Sequence, residues 1–248
     1  PYTTLFRSIR RPMISQELTT DDTLVAVMPN CWYEIRVTKN AEQYLICGDM
    51  TAAAYTQTDA DAACFMKTVE ALLGLEWDSQ SDISPDGFDY WIGSVHYQRA
   101  PDGAYYAADW GEAQFSACRD RMYGGDALAV AEGYFRNVAR VAAMRPTILG
   151  HLDLITKLNA GNRFFDEDTP RYRRAALEAL HAVDPHATLL EINTGGVSRG
   201  YRTAPYPALF LLREWHAMGG SIILTADAHS TDTLVFGYDQ AAELAKAA

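Results

Sequence analysis

The chain has 248 residues, enough for one large domain or two small ones. With 48% hydrophobic and 11% aromatic residues it can bury a substantial core, which excludes a disordered acidic tail. Its formal charge of −11, from 21 Lys and Arg against 32 Asp and Glu, argues against a nucleic-acid grip through phosphates, which needs a basic surface.

No run approaches the roughly 18 apolar residues of a membrane span, so no membrane segment is expected. Cys31, Cys47, Cys64 and Cys118 form no C-x-x-C pair and read as free thiols of a reducing, cytoplasmic compartment. The first forty residues show no clear periodicity, apart from a short apolar run over 23–28 that reads as a strand. Residues 41–68 are rich in Ala, Thr and Asp, with weak patterning for helix or strand. Residues 1–69 are therefore expected to be an irregular, anomalous or non-native segment.

From residue 70 the pattern sharpens. The apolar run EALLGLEWD carries Glu76, and the aromatic, β-branched run FDYWIGSVH ends at His96. Residues 126–144 place apolar side chains at helical spacing behind Asp126, a residue suited to capping. PTILGHLD predicts a short strand running into His151 and Asp153. Residues 168–182 predict an amphipathic helix, and ATLLEIN a strand ending at Asn193. PYPALFLLREWHAMGG predicts a helix with prolines at its start and glycines at its exit. SIILTADAH predicts a strand ending at Asp227 and His229, and 238–247 a last helix.

Strands alternating with helices predict βα units and a mainly parallel sheet. Five strand ends carry polar residues: Glu76, His96, His151, Glu191 with Asn193, and Asp227 with His229. Chemistry in a βα barrel gathers at the C-terminal ends of several strands, whereas an open sheet concentrates it at one crevice. The pattern therefore favours a barrel over an open sheet.

In an extended strand, residues two apart face the same side, so Asp227 and His229 would point to one site. A carboxylate and an imidazole so placed suit a divalent metal; the alternative is a turn with a capping Asp and a surface His. His96 is a ligand or a satisfied core edge, and His151 with Asp153 repeats the alternation. The combination is stronger than its members, because three of six histidines end three predicted strands. His181, His186 and His216 flank or lie within helices and read as structural. There is no G-x-G-x-x-G, no P-loop lysine motif and no G-x-S-x-G elbow, so a His/Asp metal site points to hydrolysis. Arg199, in a Gly-rich loop, Lys157 and Arg163 are candidate phosphate anchors on the predicted rim, or else solvated loop charges.

GLEWDS, FDYWIGSVHY, ILGHLDLITK, LLEINTGG…RG…PYP and ILTADAH resemble the later motifs of the PHP (polymerase and histidinol phosphatase) family, in its histidinol-phosphatase branch. The resemblance runs from about residue 70 to the C-terminus and makes 70–248 a PHP-type phosphatase domain. It implies an α/β fold, a distorted seven-stranded TIM-like (β/α) barrel, here incomplete at its N-terminus. It implies a di- or trinuclear centre of Zn, Fe or Mn. The implied metal ligands are Glu76 as the bridging carboxylate, His96, His151, Asp227 and His229. Arg199 would hold the phosphate, supported by Lys157 and Arg163, with Asn193 and Tyr206 as further pocket contributors. Asp153 is a candidate to protonate the leaving oxygen. The implied reaction is hydrolysis of L-histidinol phosphate, a small phosphate monoester, in histidine biosynthesis. Alternatives are another PHP phosphoesterase, acting on nucleotides or as an exonuclease, and an inactive barrel remnant serving as a packing module. The family's opening H-x-H pair and its T-D-H-like motif have no counterpart, since no histidine precedes His96. A gene fragment accounts for that better than a divergent paralogue with fewer metals.

Overall fold

The computed structural model describes residues 13–19, 31–39, 42–50 and 74–248. The chain divides into two units, 1–73 and 74–248. In the first, β1 (Met13–Thr19), β2 (Cys31–Lys39) and β3 (Glu42–Met50) form one sheet in that order. β1 lies parallel to β2, with Met13 opposite Trp32; β2 and β3 run antiparallel, with Lys39 opposite Glu42. CWYEIRVTK mixes aromatic and β-branched residues at alternating positions, which suits a strand. The weakly patterned stretch after residue 41 thus begins as β3, specified by its partner more than by its own propensity. The strand expected over 23–28 lies outside the described residues.

The second unit is built on five parallel strands: β4 (Gly74–Asp78), β5 (Tyr90–Ser94), β8 (Ile148–Leu149), β9 (Leu189–Asn193) and β10 (Ile222–Thr225). Their order in the sheet follows the chain, with no reversal, so each unit adds to the same side. Glu76 stands opposite Ile92, Gly93 opposite Leu149, and Leu149 opposite Leu190, which aligns the C-terminal strand ends along one rim. Beyond β5 a small antiparallel pair intervenes, β6 (Tyr97–Arg99) with β7 (Tyr105–Ala107). It is followed by α1 (Glu112–Met122) and α2 (Ala127–Ala143). The parallel α/β architecture is thus present, and β4 and β10 are the edges of this sheet among the described residues.

The helices follow from their caps and stripes. Asp126 Oδ1 accepts from the amide of Ala129 at 3.1 Å and starts α2. Val130, Tyr134, Val138 and Val141 then fall on one face and are each at most 2% exposed. Thr169 caps α3 (Pro170–His181), whose first residue is a proline with no amide hydrogen to waste. Tyr172, Ala176, Ala179 and Leu180 form its buried stripe, which packs on α2. Truncating one such fully buried side chain, for example Leu149→Ala, costs about 2–5 kcal/mol.

Two elements differ from expectation. The helix expected from Pro205 onward starts only at Leu209, as α5 (Leu209–Ala217), after a short α4 (Gly195–Ser198). Before it, Tyr206 exchanges backbone hydrogen bonds with Asn193, extending the rim instead. β10 ends at Thr225, and Asp227 takes a left-handed backbone with φ 46°, so Asp227 and His229 do not alternate along a strand. Asp tolerates that conformation better than most residues. α6 (Tyr238–Lys246) closes the chain.

Candidate metal centre

Three adjacent strand ends converge on one point. Glu76 projects from β4, His96 follows β5, and His151 follows β8. Glu76 Oε1 lies 3.2 Å from His96 Nε2 and 3.3 Å from His151 Nε2. The two imidazoles meet edge to face, with centroids 4.8 Å apart. The three potential ligand atoms lie within 4.8 Å of one another, so these side chains could hold a metal ion.

Both histidines are held from behind. The His96 amide donates to Asp78 Oδ2 at 2.7 Å. Its Nδ1 faces Asp109, 3.8 Å away, and Asp109 in turn accepts from Lys157 Nζ at 3.1 Å. Asp109 is 4% exposed and Lys157 6% exposed, with Tyr201 laid over the ammonium. The His151 amide donates to Glu191 Oε2 at 2.6 Å, and Thr225 Oγ1 donates to the other Glu191 oxygen at the same distance. Gly150 makes that placement possible, because a Cβ there would sit 2.8 Å from Ser94 Oγ and 2.9 Å from Ile92 Cγ2.

Burial would raise the Glu76 carboxyl, but hydrogen bonds from His151 and His96 hold it well below the usual range. Burial opposes charge on His96 as well, yet Asp109 and Glu76 push it up to about 10. His151 is raised too, against burial, chiefly by Glu76. The site is thus built to hold positive charge beside Glu76. Two imidazoles and a carboxylate form a donor set that suits zinc and other borderline divalent ions, with three protein donors leaving coordination open. The residues present fit a metal ion.

The other predicted residues sort into a second cluster and a buried core. Arg199 Nη2 donates to Asp227 Oδ2 at 2.7 Å, and its Nη1 lies 2.9 Å from the Asp227 carbonyl and 3.1 Å from His229 Nδ1. Arg199 therefore gathers Asp227 and His229, the geometry a straight strand was expected to provide. Asn193 Oδ1 accepts from the Gly195 amide at 2.8 Å, while its Nδ2 donates to Glu191. Asp153 is 1% exposed; its Oδ2 accepts from the Ala208 amide, its Oδ1 has no partner, and burial raises its pKa to about 6. Tyr206 is buried beside it. Lys157 faces Asp109 rather than an open rim. Arg163 pairs with Glu112 on the exposed surface. His181, His186 and His216 are exposed and lie outside the three-residue group.

Sequence reasoning missed Asp109 and left Glu191 out of the site. Glu191 had a signal: an acid inside the apolar strand LLEIN is buried and needs partners. Asp109 had none, since its burial depends on a lysine 48 residues away.

No protein-family model matches the chain. Over 156 residues it is 26% identical to the histidinol-phosphatase of Bacillus subtilis (strain 168), covering 59% of this chain and 54% of that protein. Over part of its length the chain is related to histidinol-phosphatase. It spans about half the length of that curated relative. A crystal structure from Listeria monocytogenes, provisionally described as a histidinol phosphatase, aligns with a TM-score of 0.49 and 16% identity, covering 62% of this chain and 58% of that one. No described helix is long and apolar enough to cross a membrane.

Proposed function

We propose that residues 70–248 carry part of a metal-dependent phosphomonoesterase of the histidinol-phosphatase type, acting on L-histidinol phosphate within a distorted seven-stranded barrel. The observation that carries this reading is the convergence of Glu76, His96 and His151 at three consecutive strand ends. In the reaction, water attacks phosphorus, the ester P–O bond breaks, and the departing alkoxide gains a proton. A divalent ion bound by these side chains supplies two things: easier ionisation of water near neutral pH and neutralisation of phosphoryl charge.

The protein's own groups do the rest. Glu76, His96 and His151 would hold the ion, with Glu76 as the carboxylate shared between metals. Asp227 and His229 would supply further donors for a di- or trinuclear site of Zn, Fe or Mn once released from Arg199. Arg199 offers its fork to the phosphate oxygens once it turns from Asp227. Asn193 orders the Gly195 backbone beside it. Asp153, with a pKa near 6, is suited to give a proton to the leaving oxygen. Lys157 acts indirectly, by charging Asp109 behind His96, and Arg163 contributes only a distant positive charge.

A second reading is a barrel remnant without turnover, serving as a packing module. The engagement of Asp227 and His229 by Arg199 favours it, because those side chains are then occupied by protein. Metal analysis paired with phosphate release from histidinol phosphate separates the two. The proposal expects bound metal and turnover in the wild type and loss of both in Glu76→Gln. Metal content and rate that are unchanged in that variant would show the ligand assignment to be wrong. Stoichiometric metal without turnover would favour the remnant.

A further inference from the structure

A second hollow flanks α2, and none of Glu76, His96 and His151 lines it. A cavity of about 500 Å³ opens between α2, the end of α1 and the β6 strand. Arg99, Arg136 and Arg140 line it, and no carboxylate does. In a chain with 32 acids and 21 bases, three guanidiniums around one hollow with no acid among them is an uneven placement. None of the three makes an ion pair with a carboxylate among the described residues. Glu132, one turn before Arg136, gives both its oxygens to Arg171.

The hollow is also constructed. Gly133, Arg136, Asn137 and Arg140 follow the i, i+3, i+4, i+7 spacing of one helix face. Two arginines four apart on a helix repel, and a glycine inside a helix is unfavourable relative to alanine, so this face is not arranged for helix stability. Gly133 has a spatial reason. A Cβ there would collide with the Tyr123 hydroxyl and come within 2.6 Å of Gln98 Oε1. Its absence lets Tyr123 donate to Gln98 at 2.5 Å, while Gln98, 2% exposed, donates to the Val130 carbonyl at 3.0 Å. Burial raises the pKa of the same phenol, and Arg136, which reaches it, opposes that rise. A fixed polar floor therefore stands beneath walls whose guanidiniums are held by neutral partners, Arg140 by Asn137 Oδ1 at 3.2 Å and Arg99 by the Tyr105 ring.

We propose that this cavity binds a small soluble molecule carrying two or more phosphate groups. Arginine forks match phosphate oxygens in pairs, and three of them around one hollow suit a ligand with more than one phosphate. The volume falls in the range of pockets that take small molecules. The site is separate from the metal centre, and its residues are not part of the chemistry proposed there.

Calorimetric titration of the full chain with inorganic pyrophosphate tests it, with orthophosphate as the comparison. Pyrophosphate binds tighter than orthophosphate, and Arg136→Ala and Arg140→Ala each weaken it by about tenfold or more, the value of a lost charge-assisted hydrogen bond. Both variants keep the far-UV circular dichroism of the wild type, because alanine favours helix. Arg136→Lys, which keeps the charge and loses the fork, falls between. Absent pyrophosphate binding, equal binding of the two anions, or binding lost in Arg199→Ala and retained in the Arg136→Ala/Arg140→Ala double variant would each overturn the proposal.

Discussion

Asp109→Asn tests the support behind His96. The substitution keeps the shape of the side chain and removes its charge. Asp109 is 4% exposed, lies 3.1 Å from Lys157 Nζ and 3.8 Å from His96 Nδ1, and has its pKa held at about 2, against burial, by His96 and Lys157. Its loss leaves an ammonium that is 6% exposed without a counter-charge. Breaking a buried pair from one side costs about 3–5 kcal/mol, and a unit of this size loses about 2–4 °C of Tm per kcal/mol. The expected fall in Tm is therefore roughly 6–20 °C, read by calorimetry in the presence of chelator. Zinc affinity falls by about 10- to 100-fold, as for other groups that orient a ligating histidine. Lys157→Met alone is also costly, whereas the Asp109→Asn/Lys157→Met double variant recovers most of the Tm, because a neutral pair in the same space carries no buried charge. A double variant as unstable as the sum of the singles would refute the pairing. Unaltered zinc affinity in Asp109→Asn would refute its role behind His96.

Gly150→Ala forces a methyl against Ser94 Oγ and Ile92 Cγ2; it should cost about 1–3 kcal/mol and weaken zinc binding by displacing His151, as thermal melts and metal titration would reveal. Asp126→Ala removes the cap of α2 and should destabilise by about 1 kcal/mol in urea unfolding. The Asp126 carboxyl is held below its usual pKa, first by Arg171 and then by the Ala129 amide, so its contribution is present above pH ~4 and fades as pH falls through the lowered folded value. The difference in stability between wild type and Asp126→Ala should therefore shrink in acid. Cys118 is 2% exposed and its thiol is pushed up to about 11 by burial. Peptide mapping after iodoacetamide at pH ~8 should find it unmodified in the native chain and modified in denaturant; rapid native labelling would contradict its burial.

The second unit was legible wherever local signals agreed. α2 and α3 each carry a cap, a 3.6-residue apolar stripe and good helix formers, and both form within a few residues of expectation. The strand ends were legible for a different reason. A polar residue that closes an apolar run has to be paid for by a partner, and Glu76, His96 and His151 serve as partners for one another. The misreadings share a cause in long-range packing. Lys157 has the sequence position of a rim cation, but its burial is decided by Asp109 and Tyr201. The Asp227-Ala-His229 alternation presumes an extended strand, and the left-handed turn at Asp227 breaks it. In the first unit β1 had no periodic signal strong enough to stand alone, and its ladder with β2 specifies it.

Glu191 shows how one buried acid can couple two parts of a site that look independent in sequence. Its Oε2 accepts from the His151 amide and from Asn193 Nδ2, and its Oε1 accepts from Thr225 at the end of β10. Asn193 in turn fixes the Gly195 amide, and a Cβ at Gly195 would sit 2.8 Å from Asp227 Oδ2 and 2.6 Å from Arg199 Nη2, pushing both side-chain ends aside. The backbone of one candidate ligand and the loop that presents Asp227 and Arg199 are therefore both positioned from the same carboxylate. Burial pushes the pKa of Glu191 up, and His151 and the Thr225 hydroxyl oppose that shift. A carboxylate so enclosed needs every one of these donors, because an unsatisfied buried charge costs more than the hydrogen bonds return. That requirement explains why a glutamate occupies the middle of an otherwise apolar strand: β9 lies between β8 and β10, and only from there can one side chain reach the strand ends on both sides.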